Sequence, residues 1–262
     1  MLFLKSLIEL NVHFITNSHL EIFNNFMNFA YLNLQDHPRG NVILQQLIQN
    51  GFIPSIVIEE NSSLATKSRS SIISTFNNDS EKFPLTKSIL AEFEIPLAYV
   101  ENHNDEKCAE LLKKFDLDLI VLGDTRVMKK NIMTIPKIGT VNSHPGYLPD
   151  VKGNNPYIWA IINDLPQGCS IHFIDENVDT GDVLMREIID LKICKSYVDL
   201  LNKINHLCAD LMLKTVQQIK DGTHIRTPQS QLKFTKENHT DREFYAATAE
   251  VKEAALRKLE GK

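Results

Sequence analysis

The chain has 262 residues, of which 43% are hydrophobic, and its formal net charge is −5. A chain of this size can bury the core of one large domain, whereas the acidic balance argues against nucleic-acid binding as its main role. No stretch is apolar enough over about 20 residues to span a bilayer, so we expect no membrane partner. The four cysteines are widely spaced and fit no zinc framework, so we expect reduced thiols, no metal and a cytoplasmic location.

The chain divides by its patterning into three parts. Residues 1–26 are rich in Asn and Phe without a clean period, and we expect an N-terminal extension there. The sequence leaves open whether this segment packs as a helix or edge strand or follows from an upstream start codon. Residues 27–227 form the predicted main domain, and residues 228–262 form a predicted tail with one helix.

Strands and helices alternate from Phe29 onward. Strands are predicted at residues 29–34, 55–58, 97–100, 118–123 and 140–143. Helices are predicted at residues 42–49 and 86–93, and a third is predicted from a cap at Asn104 to Leu112. Residues 60–82 are polar, and we expect a loop there with one irregular helix. Short apolar strands separated by helices indicate an α/β fold with a mostly parallel sheet that is buried on both faces.

The second half of the chain continues with capped helices and two further strands. Asn155 and Pro156 begin a helix that ends near Asn163, and strands follow at residues 169–174 and 183–188. A capping box at residues 196–199 opens a long helix to Lys220. A second capping box, residues 240–243, predicts a final charged helix to about Leu259, either a solvated surface helix or a partner-binding element.

Three polar residues stand out as candidate chemistry. Asn142 and His144 are two residues apart near the end of an apolar strand, so their side chains point to the same face. Ligands of open parallel sheets bind at the carboxyl ends of the strands, which is where this pair lies. Asp179 precedes Gly181 in a tight turn between the two later strands. An amide and an imidazole can stabilise an oxyanion, and a carboxylate can orient the imidazole and help move a proton.

The motifs in combination resemble a known family. The segments Asn-Ser-His-Pro-Gly-Tyr-Leu-Pro (142–149), Lys-Gly (152–153), Gly-Cys-Ser-Ile-His-Phe (168–173) and Val-Asp-Thr-Gly-Asp-Val-Leu (178–184) are similar to those of the folate-dependent formyltransferases. That family includes the glycinamide ribonucleotide, methionyl-tRNA and sugar N-formyltransferases. The resemblance implies a Rossmann-like formyltransferase domain that moves a formyl group from 10-formyltetrahydrofolate, as a co-substrate, to an amine.

The resemblance also implies roles for particular residues. The family's catalytic Asn, His and Asp fall on Asn142, His144 and Asp179. Its donor pocket is expected to contain the loop after the fourth strand and the segment before the catalytic aspartate: Arg126, Val127, Met128, Glu176, Asn177 and Val178. Asp124 and Thr125 depart from the aromatic or apolar residues that are usual in this loop.

The amine acceptor is the least determined part of the prediction. Arg39, Gly40 and Asn41 occupy the place of the purine branch's phosphate loop and are only partly similar to it. Tyr157 lies in a helix most like that of the sugar N-formyltransferases, which favours a small acceptor such as a nucleotide-linked amino sugar. A glycinamide ribonucleotide or methionyl-tRNA acceptor stays an alternative, as does a non-catalytic relative that binds a folate or nucleotide. The sequence also allows a homodimer.

Overall fold

The structure is a computed structural model that describes residues 27–76, 83–236 and 243–261. The predicted extension at residues 1–26 lies outside the described residues. No helix in the described ranges is long and apolar enough to cross a membrane.

A seven-stranded, mostly parallel sheet forms the centre of the fold. Its strands are β1 (Phe29–Leu34), β2 (Ile56–Glu60), β3 (Leu97–Val100), β4 (Leu119–Leu122), β5 (Gly139–His144), β7 (Gln167–Phe173) and β8 (Val183–Ile189), and a two-stranded sheet pairs β6 (Lys152–Gly153) with β9 (Glu243–Phe244). The order in the large sheet is β3-β2-β1-β4-β5-β7-β8. The first five strands in this order are parallel, and β7 and β8 are antiparallel to their neighbours. The predicted α/β fold is confirmed.

Helices cover both faces of the sheet. They are α1 (Pro38–Gln49), α2 (Ser63–Thr75), α3 (Thr86–Ile89), α4 (Glu106–Leu112), α5 (Lys130–Met133), α6 (Pro156–Asn163), α7 (Tyr197–Lys220) and α8 (Ala249–Glu260). One apolar cluster joins the sheet to α1, α6 and α7, and a second joins the other face to α4 and α5. Strands buried on both faces need apolar residues at successive positions, which explains the apolar run of β4 and of the first four residues of β1.

The long helix α7 follows the predicted pattern closely. The Ser196 hydroxyl accepts a hydrogen bond from the backbone N–H of Asp199, as the capping box predicts. Ile204, Cys208, Leu211 and Ile219 on one side of the helix are buried in the apolar cluster that contains the sheet, whereas Leu201 packs with Phe76 and Phe83.

Several element boundaries differ from the prediction. Helix α1 begins at Pro38, not residue 42, because proline suits the first helical position and lacks the N–H that would go unpaired. Strand β2 runs to Glu60 rather than ending at Ile58, since both terminal glutamates are buried and paired in the sheet. The helix predicted to run to Phe93 ends at Ile89.

Two predicted caps are wrong. Helix α4 has Asp105 at its N-cap, and the Asn104 side chain bonds instead to the loop after β4. The final helix begins at Ala249 with Thr248 as its cap, not at the predicted box around residue 243. There Phe244 is buried and pairs with Gly153 in the small sheet, so burial of an aromatic side chain overrides the capping pattern.

The described parts of the chain from residue 227 onward pack on the main body. Thr227 forms an isolated bridge with Val183, and Ala255 and Leu259 of α8 belong to the larger apolar cluster. The division at residues 26 and 227 stays a prediction.

Candidate functional site

The three predicted catalytic residues lie together at the carboxyl end of β5. Asn142 and His144 are on the last three positions of this strand, and Asp179 reaches them from the turn between β7 and β8. Asp179 Oδ2 lies 3.3 Å from His144 Nδ1. The alternation of side chains along a strand thus gives the pair its common face, and the β7–β8 turn supplies the carboxylate.

The turn that carries Asp179 has a backbone conformation and a close contact that few residues allow. Asp179 has φ of +53°, a region that residues other than glycine rarely occupy. A side chain at Gly181 would place its Cβ 1.8 Å from the Phe173 carbonyl oxygen, so only glycine fits there. The Gln229 amide nitrogen donates to the carbonyls of Asp179 (2.8 Å) and Gly181 (2.9 Å). The segment after residue 227 therefore helps hold the turn.

His172 is a fourth member of the cluster, and the sequence interpretation assigned it no role. It lies directly across from Asn142 in the β5–β7 pairing. Its Nδ1 donates to the Phe173 carbonyl (2.8 Å), which leaves Nε2 to accept a hydrogen bond from the Asn142 amide (3.2 Å). Asp179 Oδ1 lies 3.5 Å from the same Nε2. A histidine within a predicted strand was the available signal, but only the strand register connects it to Asn142.

Asp179 is a strongly stabilised anion. Burial raises its pKa, but the adjacent His144 and the Gly153 N–H, which donates to Oδ2 over 2.8 Å, outweigh burial and hold the pKa well below its usual range. The carboxylate is therefore ionised near pH 7.

His144 lies between two acceptors. Its Nδ1 is near Asp179, and its Nε2 is 2.8 Å from the carbonyl oxygen of Val151. Burial lowers the pKa of His144, and the nearby Asp179 carboxylate opposes that effect only in part. A neutral imidazole carries one proton, so one of its nitrogens faces an oxygen without a hydrogen between them. A second proton would satisfy both contacts, which makes His144 a suitable proton acceptor.

The loop after β5 is fixed closely around the imidazole. The Ser170 hydroxyl accepts from the Leu148 N–H and donates to the Gly146 carbonyl, each over 2.9 Å. A Cβ at position 146 would lie 2.5 Å from His144 Nε2. Glycine at this position therefore lets the loop approach the ring.

Two cavities meet at Asn142. The first has a volume of about 310 Å³ and the second about 190 Å³, and both are lined by Asn142, Thr125, Gly153 and Asn154. His144 lines the first cavity, and Asp179 lines the second. A group bound in either cavity can therefore reach the same cluster of catalytic candidates.

The second cavity contains most of the residues predicted for the donor. Arg126, Val127 and Met128 form one side and Asn177 and Val178 the other. Glu176 lies outside the lining and pairs with Lys130 over 2.9 Å at the surface. That these residues bind the folate donor stays a prediction.

The residues predicted for the acceptor are divided between the first cavity and the interior. Arg39 and Tyr157 line the cavity. Gly40 and Asn41 are buried behind it, where the Asn41 amide bonds to the Pro84 carbonyl (2.7 Å) and to Asn33 (3.1 Å). Trp159, the other aromatic residue of α6, stacks on Phe244 instead of lining the cavity.

Charges at the inner end of the first cavity are paired. The Arg39 guanidinium donates to the Asp124 carboxylate, and His37 Nε2 lies 3.6 Å from the same oxygen. Burial opposes the charge of Arg39, but Asp124 outweighs it and raises the pKa of the guanidinium. Burial also lowers the pKa of His37 to about 4, so this ring is neutral near pH 7. The resulting surface is polar with little net charge.

Among the described residues, no group of three or more His, Cys, Asp or Glu side chains is arranged to hold a metal ion.

Known proteins resemble this chain in sequence and in fold. Methionyl-tRNA formyltransferase from Syntrophus aciditrophicus is 30% identical over 148 residues, which is 56% of this chain and 47% of that protein. The enzyme of the same name from Fusobacterium nucleatum is 34% identical over 124 residues, 47% of this chain and 40% of that protein. The chain thus spans less than half the length of these two curated relatives.

Solved structures share the fold at low sequence identity. A sugar N-formyltransferase from a Shewanella species superposes with a TM-score of 0.59 at 15% identity, over 89% of this chain and 88% of that one. Phosphoribosylglycinamide formyltransferase from Anaplasma phagocytophilum gives a TM-score of 0.60 at 17% identity, over 84% and 98% of the two chains. The formyl transferase family model matches residues 47–216, well over half of the chain. The chain belongs to the formyl transferase family.

Proposed function

We propose that the protein transfers a formyl group from 10-formyltetrahydrofolate to the primary amine of a small acceptor. The observation that carries this proposal is the meeting of two cavities at Asn142, beside His144 and Asp179. A transfer between two bound molecules needs two adjoining pockets with the reacting groups at their junction. A binding protein for one ligand has no use for this arrangement.

The second cavity suits the donor's pterin ring, a flat heterocycle with an amide-like edge. Its apolar lining includes Leu122, Val127, Met128, Ile174 and Val178. In the described part of the chain, no backbone–backbone hydrogen bond involves residues 125–128, so this loop has main-chain groups to offer a ligand. The donor would supply the formyl group, and these residues would orient it toward Asn142.

The catalytic cluster can carry out each step of an acyl transfer. The acceptor nitrogen attacks the formyl carbon, and negative charge develops on the formyl oxygen. An amide group has two N–H donors; Asn142 uses one for His172 and has the other for this oxygen. His144 accepts the proton that the attacking amine loses, and Asp179 stabilises the imidazolium. The bond from carbon to the donor nitrogen then breaks, and that nitrogen takes up a proton.

We infer that the acceptor is an amino sugar linked to a nucleotide. The first cavity is rich in hydroxyl and amide groups, which match sugar hydroxyls: Ser68, Ser71, Thr125, Asn154, Asn155 and Asn205. Its volume lies near the lower end of the range for small-molecule sites. Because Asp124 already neutralises Arg39, the wall at this ion pair suits the uncharged sugar of the acceptor rather than its phosphate groups.

Methionyl-tRNA is the second candidate acceptor, because the relatives identified by sequence carry that name. The net charge of −5 speaks against a polyanionic partner, whose binding depends on basic contacts to phosphates. Glycinamide ribonucleotide is a third candidate on the likeness of fold.

One assay distinguishes these acceptors. The protein is incubated with 10-formyltetrahydrofolate and, separately, with amino sugars linked to dTDP, UDP and GDP, with glycinamide ribonucleotide and with methionyl-tRNA. Formylated product is detected by mass spectrometry and tetrahydrofolate release by absorbance. We expect product with a nucleotide-linked amino sugar. Formylation of methionyl-tRNA alone would refute the acceptor assignment, and binding of folate without transfer to any amine would indicate a non-catalytic relative.

A further inference from the structure

The loop between β4 and α5, residues 124–129, forms one wall of the second cavity and is hereafter the donor loop. It has no regular secondary structure. Among the described residues, none of 125–128 takes part in a backbone–backbone hydrogen bond. The conformation of the donor loop must therefore depend on side chains from elsewhere in the fold.

Asn104 provides the first set of contacts. Its Nδ2 donates to the carbonyl of Val127 over 3.0 Å, and its Oδ1 accepts from the N–H of Lys129 over 2.7 Å. These two backbone groups are two residues apart, so the side-chain amide pairs with them as a peptide of a neighbouring strand would. The Asn131 side chain donates in turn to the Asn104 carbonyl (3.0 Å). The Asn104 side chain thus makes the two hydrogen bonds to this part of the loop that a neighbouring strand would otherwise make.

Glu60 provides the second set. This carboxylate, at the carboxyl end of β2, is fully buried and binds Arg126 through both oxygens, with 2.6 Å between Oε2 and Nε. The Ser62 hydroxyl donates to Oε1 over 2.6 Å and the His103 N–H to Oε2 over 3.1 Å. A buried carboxylate with this many donors holds a guanidinium in one orientation.

We propose that Asn104 and Glu60 are positioning residues that hold the donor loop in the shape that binds the folate donor. Neither residue lines either cavity, so neither would touch the donor. Their effect is on the position of the main-chain groups of residues 126–128. Fixing these groups before binding removes the entropy cost of ordering them in the complex.

The inference rests on the proposed function, and its test separates the two. Asn104→Ala removes both contacts to the loop, and Asn104→Asp retains the acceptor for Lys129 while losing the donor to Val127. Glu106→Gln is the matched control, because Glu106 lies two residues away on α4, is 69% exposed and pairs at the surface, within the described ranges, with Lys113 alone. Glu60→Gln keeps the side-chain volume and removes the charge that orients Arg126.

Each variant is measured for kcat, for KM of donor and acceptor, and for Kd of tetrahydrofolate. Hydrogen exchange of residues 125–131 is followed without ligand. For Asn104→Ala we expect faster exchange and about a tenfold rise in donor KM and tetrahydrofolate Kd, with kcat and acceptor KM within about twofold of the control. Asn104→Asp should fall between Asn104→Ala and the control. A folded Glu60→Gln should show the same donor-specific loss.

The inference is overturned if Asn104→Ala has a donor KM and a tetrahydrofolate Kd within twofold of the Glu106→Gln control. It is also overturned if the rise in donor KM, the rise in acceptor KM and the fall in kcat are equally large. If Asn104→Ala fails to fold, the Glu60→Gln result decides in the same way. If the wild-type protein formylates no amine, the proposed function fails, but the tetrahydrofolate titration still decides. Weaker binding by Asn104→Ala would then support the inference, and equal binding, or no binding by wild type, would refute it.

Discussion

Replacement of Asp179 by Asn is the most direct test of the catalytic cluster. The substitution keeps the shape of the side chain and removes the charge that faces His144. Two unit charges 3.3 Å apart attract by about 5 kcal/mol at an effective dielectric constant of about 20. About half of this attraction, roughly 2.5 kcal/mol, acts on a barrier where the proton is partly transferred, which corresponds to a fall in turnover of about seventyfold.

The same substitution makes a prediction about pH. Burial lowers the pKa of His144 below its ordinary 6.5, and Asp179 raises it again in part. A general base works only when unprotonated, so the wild-type rate should fall as the pH drops through this lowered pKa. Loss of the carboxylate removes the effect that raises the pKa. The acid limb of Asp179→Asn should therefore lie at lower pH than that of wild type.

The assay is the release of tetrahydrofolate across a pH series, with formylated product confirmed by mass spectrometry. Asp182→Asn is the control, because Asp182 lies in the same connection, pairs with Arg226 and lines neither cavity. Turnover of Asp179→Asn within threefold of this control would refute the assigned role. An acid limb that moved to higher pH would show that His144 does not act as the base.

Three further predictions concern the site and its support. Asn142→Ala should lower turnover at least about a hundredfold, because one oxyanion donor is worth about 3–4 kcal/mol; a change of only a few-fold in the tetrahydrofolate assay would contradict this. Gln229→Ala should lower kcat about tenfold with little change in KM, because it frees the strained turn at Asp179; Gln231→Ala is the control, and equal kcat in the two variants would disprove the role. Burial raises the pKa of Glu59 from 4.5 to about 7. Ionised Glu59 therefore destabilises the folded state above pH 7, and this destabilisation is relieved as the pH falls from 7 toward 4.5. Glu59→Gln should therefore raise the Tm at pH 8 relative to wild type and have less effect at pH 5, and an unchanged or lower Tm at pH 8 by thermal scanning would contradict the reasoning.

Local patterns in the sequence were enough to find the sheet and part of the site. Apolar runs of the right length placed both the buried strand β1 and the partly buried edge strand β3 at their observed residues, and the apolar period identified the core side of α7. The two-residue spacing of Asn142 and His144 fixes their common face in any strand. These features depend only on the period of the backbone, and a sequence displays that period directly.

Contacts between distant segments could be decided only by the tertiary structure. His172 meets Asn142 through the register of β5 and β7, and Gln229 reaches the Asp179 turn from 50 residues away. Asn104 resembles a helix cap by its position but pairs with the donor loop, since that loop offers it two backbone partners. A sequence fixes which hydrogen-bonding groups a residue carries, whereas the packing of the sheet decides which partners come within reach.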